Sequence, residues 1–311
     1  MTQDLPSPDA PLKIGTRGSP LALAQAHEVR DRLAAAHDLP EAAFEIVPLT
    51  TTGDRVQDRP LSEIGGKGLF TKELDAALDD GRIDIAVHST KDVANTLPEG
   101  MVLSCFLPRE DVRDSFISRE YGALAELPEG AVVGCSSIRR RAQMAAMRPD
   151  LQFVEFRGNV QTRLAKLDAG LAVATLLACA GLRRLGQEEL MNPIAPEVML
   201  PAVAQGAISI QQRVADARIV PLLAPLNDAA TAACVRVERA FLAELDGSCR
   251  TPIGGLAEMD GDTVRLRGEI LKPDGSVVHG DAWSAPLAEA VEMGAAAGRE
   301  LKERAGPGFL A

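Results

Sequence analysis

The stretch GGKGLFTKELDAALDDGRIDIAVHSTKDV, residues 65–93, reads as a turn, a helix and a strand that ends in polar groups. The glycine-rich turn opens an amphipathic helix with Leu69, Phe70, Leu74, Ala77 and Leu78 on one face, and the apolar run at 83–87 follows as a buried strand. His88, Ser89, Thr90, Lys91 and Asp92 then emerge at the carboxyl end of that strand, where open α/β sheets bind their ligands. Before this unit, residues 12–15 read as a strand. Ser19 reads as the N-cap of a helix with Pro20 in its first position, running to about 36, and 44–47 as a further strand.

After it the rhythm continues. Residues 101–107 form an apolar strand, and polar residues at 109–114 suggest a crossing between domains. A second block alternates strand 131–135, helix 137–147, strand 151–156, helix 159–167, strand 171–177 and a helix near Gly181. Residues 200–213 look like a connection leading into a strand. Beyond Asn227 the character changes to a long helix at 229–245, a glycine-rich loop, two strands around an Asp-Gly turn at 272–276, and a final helix rich in Ala and Glu. The expectation is an α/β chain with doubly wound sheets and a smaller α+β region of about 85 residues at its end, with no internal sequence repeat.

A length of 311 residues with 46% apolar content is enough for two or three domains. The net charge of −11 argues against general attraction to nucleic acid or to an anionic membrane, and no apolar run is long enough to span a bilayer. The first residues, MTQDLPSPDAPLK, lack a basic region followed by an apolar stretch, so no secretory leader is expected. Five widely spaced cysteines suit a reducing compartment better than a disulfide framework, and four scattered histidines have no metal-ligand spacing.

Within this acidic chain the segment 131–184 holds eight arginines and one lysine against Asp150, Glu155 and Asp168, a local balance of +6 that leaves −17 elsewhere. An arginine-dominated patch suits a polyanionic ligand because the guanidinium fork binds carboxylate or phosphate bidentately. Charge runs on helices are also ordinary solvated faces, and that is the better reading for any single arginine taken alone. Position favours a site for the set. In GCSSIRRR, Ser136 and Ser137 can cap a helix whose first turn carries Arg139 and Arg140; FRGNVQTRL places Arg157 and Arg163 around the next helix start; Arg183 and Arg184 follow. GTRGSP offers Arg17 and Ser19 from the first block.

A carboxylate beside a lysine, as in Lys91-Asp92, can hold a cationic amine, stabilise a developing carbocation or shuttle a proton; it can equally be an incidental surface pair. His88 reads as a satisfied structural histidine. GGKG resembles a phosphate loop only weakly, since Lys67 is followed by Gly68 and the leading glycine is absent. Cys249 stands apart from the other cysteines in the small polar loop DGSCRTPIGG, beside Arg250, where a cationic neighbour favours the thiolate. Nucleophile, covalent anchor and unreactive thiol all remain open from the residues alone.

Eight segments, in order, resemble the porphobilinogen deaminase (hydroxymethylbilane synthase) family along nearly the whole chain: GTRGSPLALAQ, GGKGLFTKEL, DIAVHSTKDV, SSIRRRAQ, RGNVQTRLAKLD, AGLRRLG, LPAVAQGA and GSCRTPIG. The resemblance implies a cytoplasmic, monomeric transferase of tetrapyrrole biosynthesis without nucleic-acid or membrane partners. Such an enzyme joins four porphobilinogen molecules head to tail with release of ammonia, giving hydroxymethylbilane. It implies a dipyrromethane cofactor in thioether linkage to Cys249, a catalytic role for Asp92, and no metal. Cofactor contacts are implied for Ser89, Lys91, Ser136, Ser137, Arg139, Arg140 and Arg184, and substrate contacts for Arg17, Ser19, Lys67, Arg157, Arg163 and Arg239. Arg141, Arg148 and Arg183 receive no such role and stay with the solvated-face reading. The implied fold is two lobes like those of periplasmic binding proteins, at 1–107 with 202–226 and at 108–201, plus a cofactor-anchoring α+β domain at 227–311. Five positions depart from the family pattern: Glu63 stands where lysine is common, Cys135 for threonine, Val173 for an acidic residue, and Ala204 and Ser248 for glycine.

Overall fold

The computed structural model describes residues 5–55, 68–245 and 251–309. They divide into two compact units, one of residues 5–55, 68–110 and 207–232, the other of residues 111–206, 233–245 and 251–309.

In the first unit β1 (Leu12–Arg17) leads through α1 (Pro20–His37) to β2 (Phe44–Leu49), which pairs parallel with it. Ser19 caps α1 as its residue type and the following proline predict, its side chain accepting from the Ala22 amide. Next come the short α2 (Thr52–Arg55), α3 (Lys72–Asp79), β3 (Ile85–Ser89) and β4 (Met101–Phe106). Helix α3 starts later than its apolar pattern suggests: Leu69 and Phe70 lie in the turn before it, although they share its periodicity. Strand β3 is buried along most of its length. Its side chains alternate, with Ile85 and Val87 in the cluster that includes Val29 and Leu33 of α1, and Ala86 in the one that includes Leu74 and Leu78 of α3.

The second unit begins with β5 (Asp114–Ser118), followed by β6 (Val132–Gly134), α4 (Ile138–Met147), β7 (Gln152–Val154), α5 (Val160–Asp168), β8 (Ala174–Ala178) and α6 (Cys179–Arg184). The sheet order is β5-β8-β6-β7, with β6 parallel to both its neighbours and β5 antiparallel to β8. Strand β5 was not expected, because its first residue, Asp114, closes the charged run REDVRD. Asp114 and Ser115 are nevertheless fully buried.

The chain then returns to the first unit as β9 (Ile208–Arg213), between β3 and β4 and antiparallel to both, completing the order β2-β1-β3-β9-β4. After α7 (Ile219–Leu223), the long α8 (Ala229–Glu244) precedes β10 (Ile253–Asp260), β11 (Thr263–Leu271) and β12 (Val278–Pro286), an antiparallel sheet of three strands, and α9 (Ala290–Ala305) closes the chain. Two strands were expected there. Strand β10 reads as a glycine-rich loop in sequence because Phe241 of α8 and Val203 crowd this sheet. A Cβ on Gly255 would lie 2.9 Å from Val203 Cγ2, and one on Gly268 of β11 would lie 2.6 Å from Phe241 Cζ. No described helix is long and apolar enough to cross a membrane.

Candidate active site

In the first unit the polar groups after β3 are held by the strand that returns late in the chain. A 3-10 turn spans Thr90–Asp92. The Thr90 amide and hydroxyl both donate to the Ala207 carbonyl, at 3.0 and 3.1 Å, just ahead of β9. This fixes Thr90 inward and leaves Lys91 exposed and the Asp92 side chain 35% exposed. Ser89 exchanges hydrogen bonds with Gln25 of α1, at 2.8 and 3.0 Å.

Arg17, the last residue of β1, reaches the same rim. Its Nη1 lies 3.7 Å from Asp92 Oδ2, while Nε and Nη2 donate to the two oxygens of Asp54 at 3.2 and 2.5 Å. The guanidinium carbon stands 4.2 Å from the Phe70 ring centre. Burial acts to lower the Arg17 pKa, and the hydrogen bond to Asp54 with the charges of Asp92 and Asp54 outweighs it, so the group stays firmly cationic. For Asp54 burial acts to raise the pKa, but hydrogen bonds from Arg17 and Thr51 hold it below the usual carboxylate range. Arg17, Gln25, Phe70, His88, Ser89 and Asp92 line one small recess of this unit.

His88 is structural, as its sequence context suggests. Its ring pairs with Gln211 Oε1 at 2.8 Å, and Gln211 donates to Asp75 at 2.7 Å. Burial, with Arg17 nearby, pushes the imidazole down to about 4 despite the Gln211 bond, so it is neutral at physiological pH.

The second unit carries a different arginine cluster. Ser137 caps α4, accepting from the Arg140 amide, and Arg139 and Arg140 in the first turn are each only 6% exposed. Both guanidiniums close on Asp114: Arg139 Nη2 at 2.7 Å, Arg140 Nη2 at 2.7 Å and Nε at 3.1 Å. Gln205 adds a bond to the same carboxylate at 2.8 Å, and Arg139 Nη1 donates to Gln143 and to the Leu200 carbonyl. Burial acts to raise the Asp114 pKa; the fields of Arg139 and Arg140 and the hydrogen bonds from Arg140 and Gln205 reverse this and hold it far below the carboxylate range. The ligand-contact arginines expected here are thus first of all a buried ion triad. Two polar atoms at the start of α4 are buried without a hydrogen-bond partner among the described residues, Ser136 Oγ and Arg139 Nε. Cys135 is buried beside them, its thiol raised by desolvation.

The remaining expected contacts are dispersed along this unit. Arg163 Nε donates to the Gly158 carbonyl, and Lys166 to that of Arg157. Arg184 donates to the Gly206 carbonyl at 3.0 Å. Arg239 is half-buried in α8, and its pKa is lowered by desolvation. Lys67, Cys249 and the departures Glu63 and Ser248 lie outside the described residues. Arg141 pairs with Glu155 at a half-exposed position, and Arg183 lies within 4 Å of Asp111 and Glu188. Arg148 does more than a solvated face requires: it pairs with Asp150 and donates to the carbonyls of Leu124, Leu127 and Pro128. Val173 packs partly buried against the apolar cluster of Val133 and Met144. Sequence reasoning missed Asp114, Asp54 and Phe70; a charged run does not reveal which of its members will be buried. Among the described residues no group of His, Cys, Asp or Glu could hold a metal ion.

Residues 12–221 match the family model described as porphobilinogen deaminase, dipyromethane cofactor binding domain, and residues 232–303 match porphobilinogen deaminase, C-terminal domain. The chain belongs to the porphobilinogen deaminase family. A porphobilinogen deaminase of Paracoccus denitrificans is 60% identical over 311 residues, covering 100% of this chain and 99% of that one. Among solved structures, a periplasmic substrate-binding protein of an ABC transporter from Coxiella burnetii is 15% identical, covering 71% of this chain and 94% of its own, with a TM-score of 0.42. A putative methionine-binding lipoprotein from Bacillus subtilis is 12% identical over 72% of this chain and 93% of its own, also at 0.42. The α/β class rests on the strand order itself rather than on these likenesses.

Proposed function

We propose that Asp92 is the catalytic carboxylate of this family member and Cys249 the anchor of its dipyrromethane. The enzyme is a hydroxymethylbilane synthase, a transferase that joins four porphobilinogen molecules head to tail with release of ammonia. When bound, the dipyrromethane supplies the pyrrole end to which the first substrate unit is joined.

The observation that carries the assignment is the setting of Asp92. Its carboxylate closes the 3-10 turn that follows the buried strand β3, is 35% exposed, and has the Arg17 guanidinium 3.7 Å away. An anion fixed there can hold the protonated aminomethyl nitrogen before the carbon–nitrogen bond breaks, with the bonding pair leaving on nitrogen. It can then stabilise the electron-poor carbon and accept hydrogen bonds from pyrrole NH groups. His88 does not share this work, being neutral, buried and bonded to Gln211.

The substrate's acetate and propionate require cations. Arg17 supplies one in the first unit. In the second, the donors at the start of α4 suit an acid-bearing group: Ser136 Oγ and Arg139 Nε are buried without described partners, at a helix N-terminus. Ser136, Ser137, Arg139, Arg140 and Arg184, with Ser89 and Lys91, would hold the dipyrromethane. Ser19, Lys67, Arg157, Arg163 and Arg239, with Arg17, would meet porphobilinogen and the growing chain. The separate sheets support two lobes, 1–107 with 202–226 and 108–201, and an anchoring domain at 227–311. We assign the protein to a reducing cytoplasm on its five separated cysteines and exclude nucleic-acid and membrane partners on its acidic charge, and we take it as a monomer on its family alone.

Intact-mass measurement tests the reading. The purified protein should exceed its sequence mass by one dipyrromethane, and Cys249→Ser should not. An unmodified protein that still consumes porphobilinogen would overturn the anchor assignment.

A further inference from the structure

We infer that Asp54 is a positioning residue that fixes Arg17 so that one edge of its guanidinium is turned to the ligand beside Asp92. A guanidinium has two edges able to bind a carboxylate bidentately, Nε with one terminal nitrogen and the two terminal nitrogens together. Asp54 takes the first, through Nε at 3.2 Å and Nη2 at 2.5 Å. The second edge contains Nη1, the atom that lies 3.7 Å from Asp92. Asp54 therefore does not occupy the place of a substrate carboxylate; it directs the edge that would receive one.

The clamp is itself held. Asp54 Oδ2 also accepts from the Thr51 hydroxyl at 2.7 Å. The Gly53 amide donates to the Leu69 carbonyl at 2.9 Å, and Thr52 donates through its amide and hydroxyl to Glu73 Oε1 at 2.9 and 2.7 Å. Gly53 lies so close to the Phe70 ring that a Cβ there would overlap it. That approach places Phe70 4.2 Å from the Arg17 guanidinium carbon. One edge and one face of the planar guanidinium are thus fixed by residues anchored to the start of α3, which leaves little freedom about Cδ–Nε.

The inference rests on Arg17 being a ligand contact, and the test separates the two. In 1H–15N spectra the Arg17 Nε–H signal, identified by its loss in Arg17→Lys, should be slow to exchange with solvent in the native protein. In Asp54→Asn it should shift and exchange at least tenfold faster. With porphobilinogen as substrate, Asp54→Asn should lower kcat/KM about tenfold, chiefly through KM. An unchanged Nε–H signal, or a kcat/KM within twofold of native while Arg17→Lys is impaired, would overturn the clamp. Native kcat/KM in Arg17→Lys would instead overturn the ligand-contact reading beneath it. Should Asp54→Asn fail to fold, Thr51→Val, which keeps the charge and removes one donor, should show the faster Nε–H exchange, and native exchange in that variant would overturn the inference.

Discussion

The rim around Asp92 and the start of α4 are built from the same sequence signal, an arginine placed where a strand ends, and they use it in opposite ways. Arg17 is partly exposed and keeps an edge beside a carboxylate that is itself open to solvent. Arg139 and Arg140 are buried against a carboxylate with no exposure at all. The first arrangement offsets the desolvation of Arg17 with Asp54 and keeps a further edge for a ligand. The second must first neutralise itself, because a guanidinium taken out of water is costly unless paired. The lesson is that an arginine's position in a motif says where it is, while the partner it meets says what it can still bind.

Four variants or conditions would break or sharpen this contrast. The largest effect should come from Asp92→Asn, with kcat falling about 10²–10⁴-fold and the urea midpoint unchanged, since this carboxylate holds no core together. A large stability loss would erase the distinction. Asp114→Asn should behave in the opposite sense: leaving two buried guanidiniums short of charge should cost about 3–5 kcal/mol in urea unfolding, whatever happens to activity. A loss under 1 kcal/mol would show that the triad is not what holds Arg139 and Arg140.

His88 should give a pH signature to the first region. Its folded pKa of about 4 lies below the ordinary value of 6.5. The unfolded chain therefore takes up the proton first, so this contribution to stability is complete above pH 6.5 and is lost as the pH falls toward 4 and through it. The loss should approach about 3 kcal/mol in urea midpoints measured down the acid limb, and His88→Gln should remove that part of the slope. Ala204 should give the smallest effect. It sits in the left-handed region at φ 60, 1% exposed, with its amide donating to Glu238 Oε2 at 2.5 Å. Ala204→Gly should relieve strain and stabilise the second unit by about 0.5 kcal/mol; destabilisation would mean that the methyl group packs better than the backbone suffers.

Much of the element pattern was legible locally. Ser19-Pro20, Ser137 and Asn159 mark helix starts that the structure confirms by side-chain caps, because capping uses atoms within three residues of each other. The elements missed were those whose identity depends on distant neighbours. Strand β5 looks polar until Asp114 meets Arg139 and Arg140, and β10 looks like a loop until Phe241 and Val203 explain its glycines.

The sequence by itself determined the alternation of strands and helices, the strand ends that bear Arg17, Asp92 and the α4 arginines, and, through its ordered motifs, the family. These depend on spacing along the chain. Only the tertiary structure decided that the returning β9 sits between β3 and β4 and that Thr90 is pinned by Ala207. It alone set which carboxylate each arginine meets: Asp54 and Asp92 for Arg17, Asp114 for Arg139 and Arg140. Those pairings span 25 residues or more of chain, and burial, which sets what each charge is worth, exists only once the chain has closed around it.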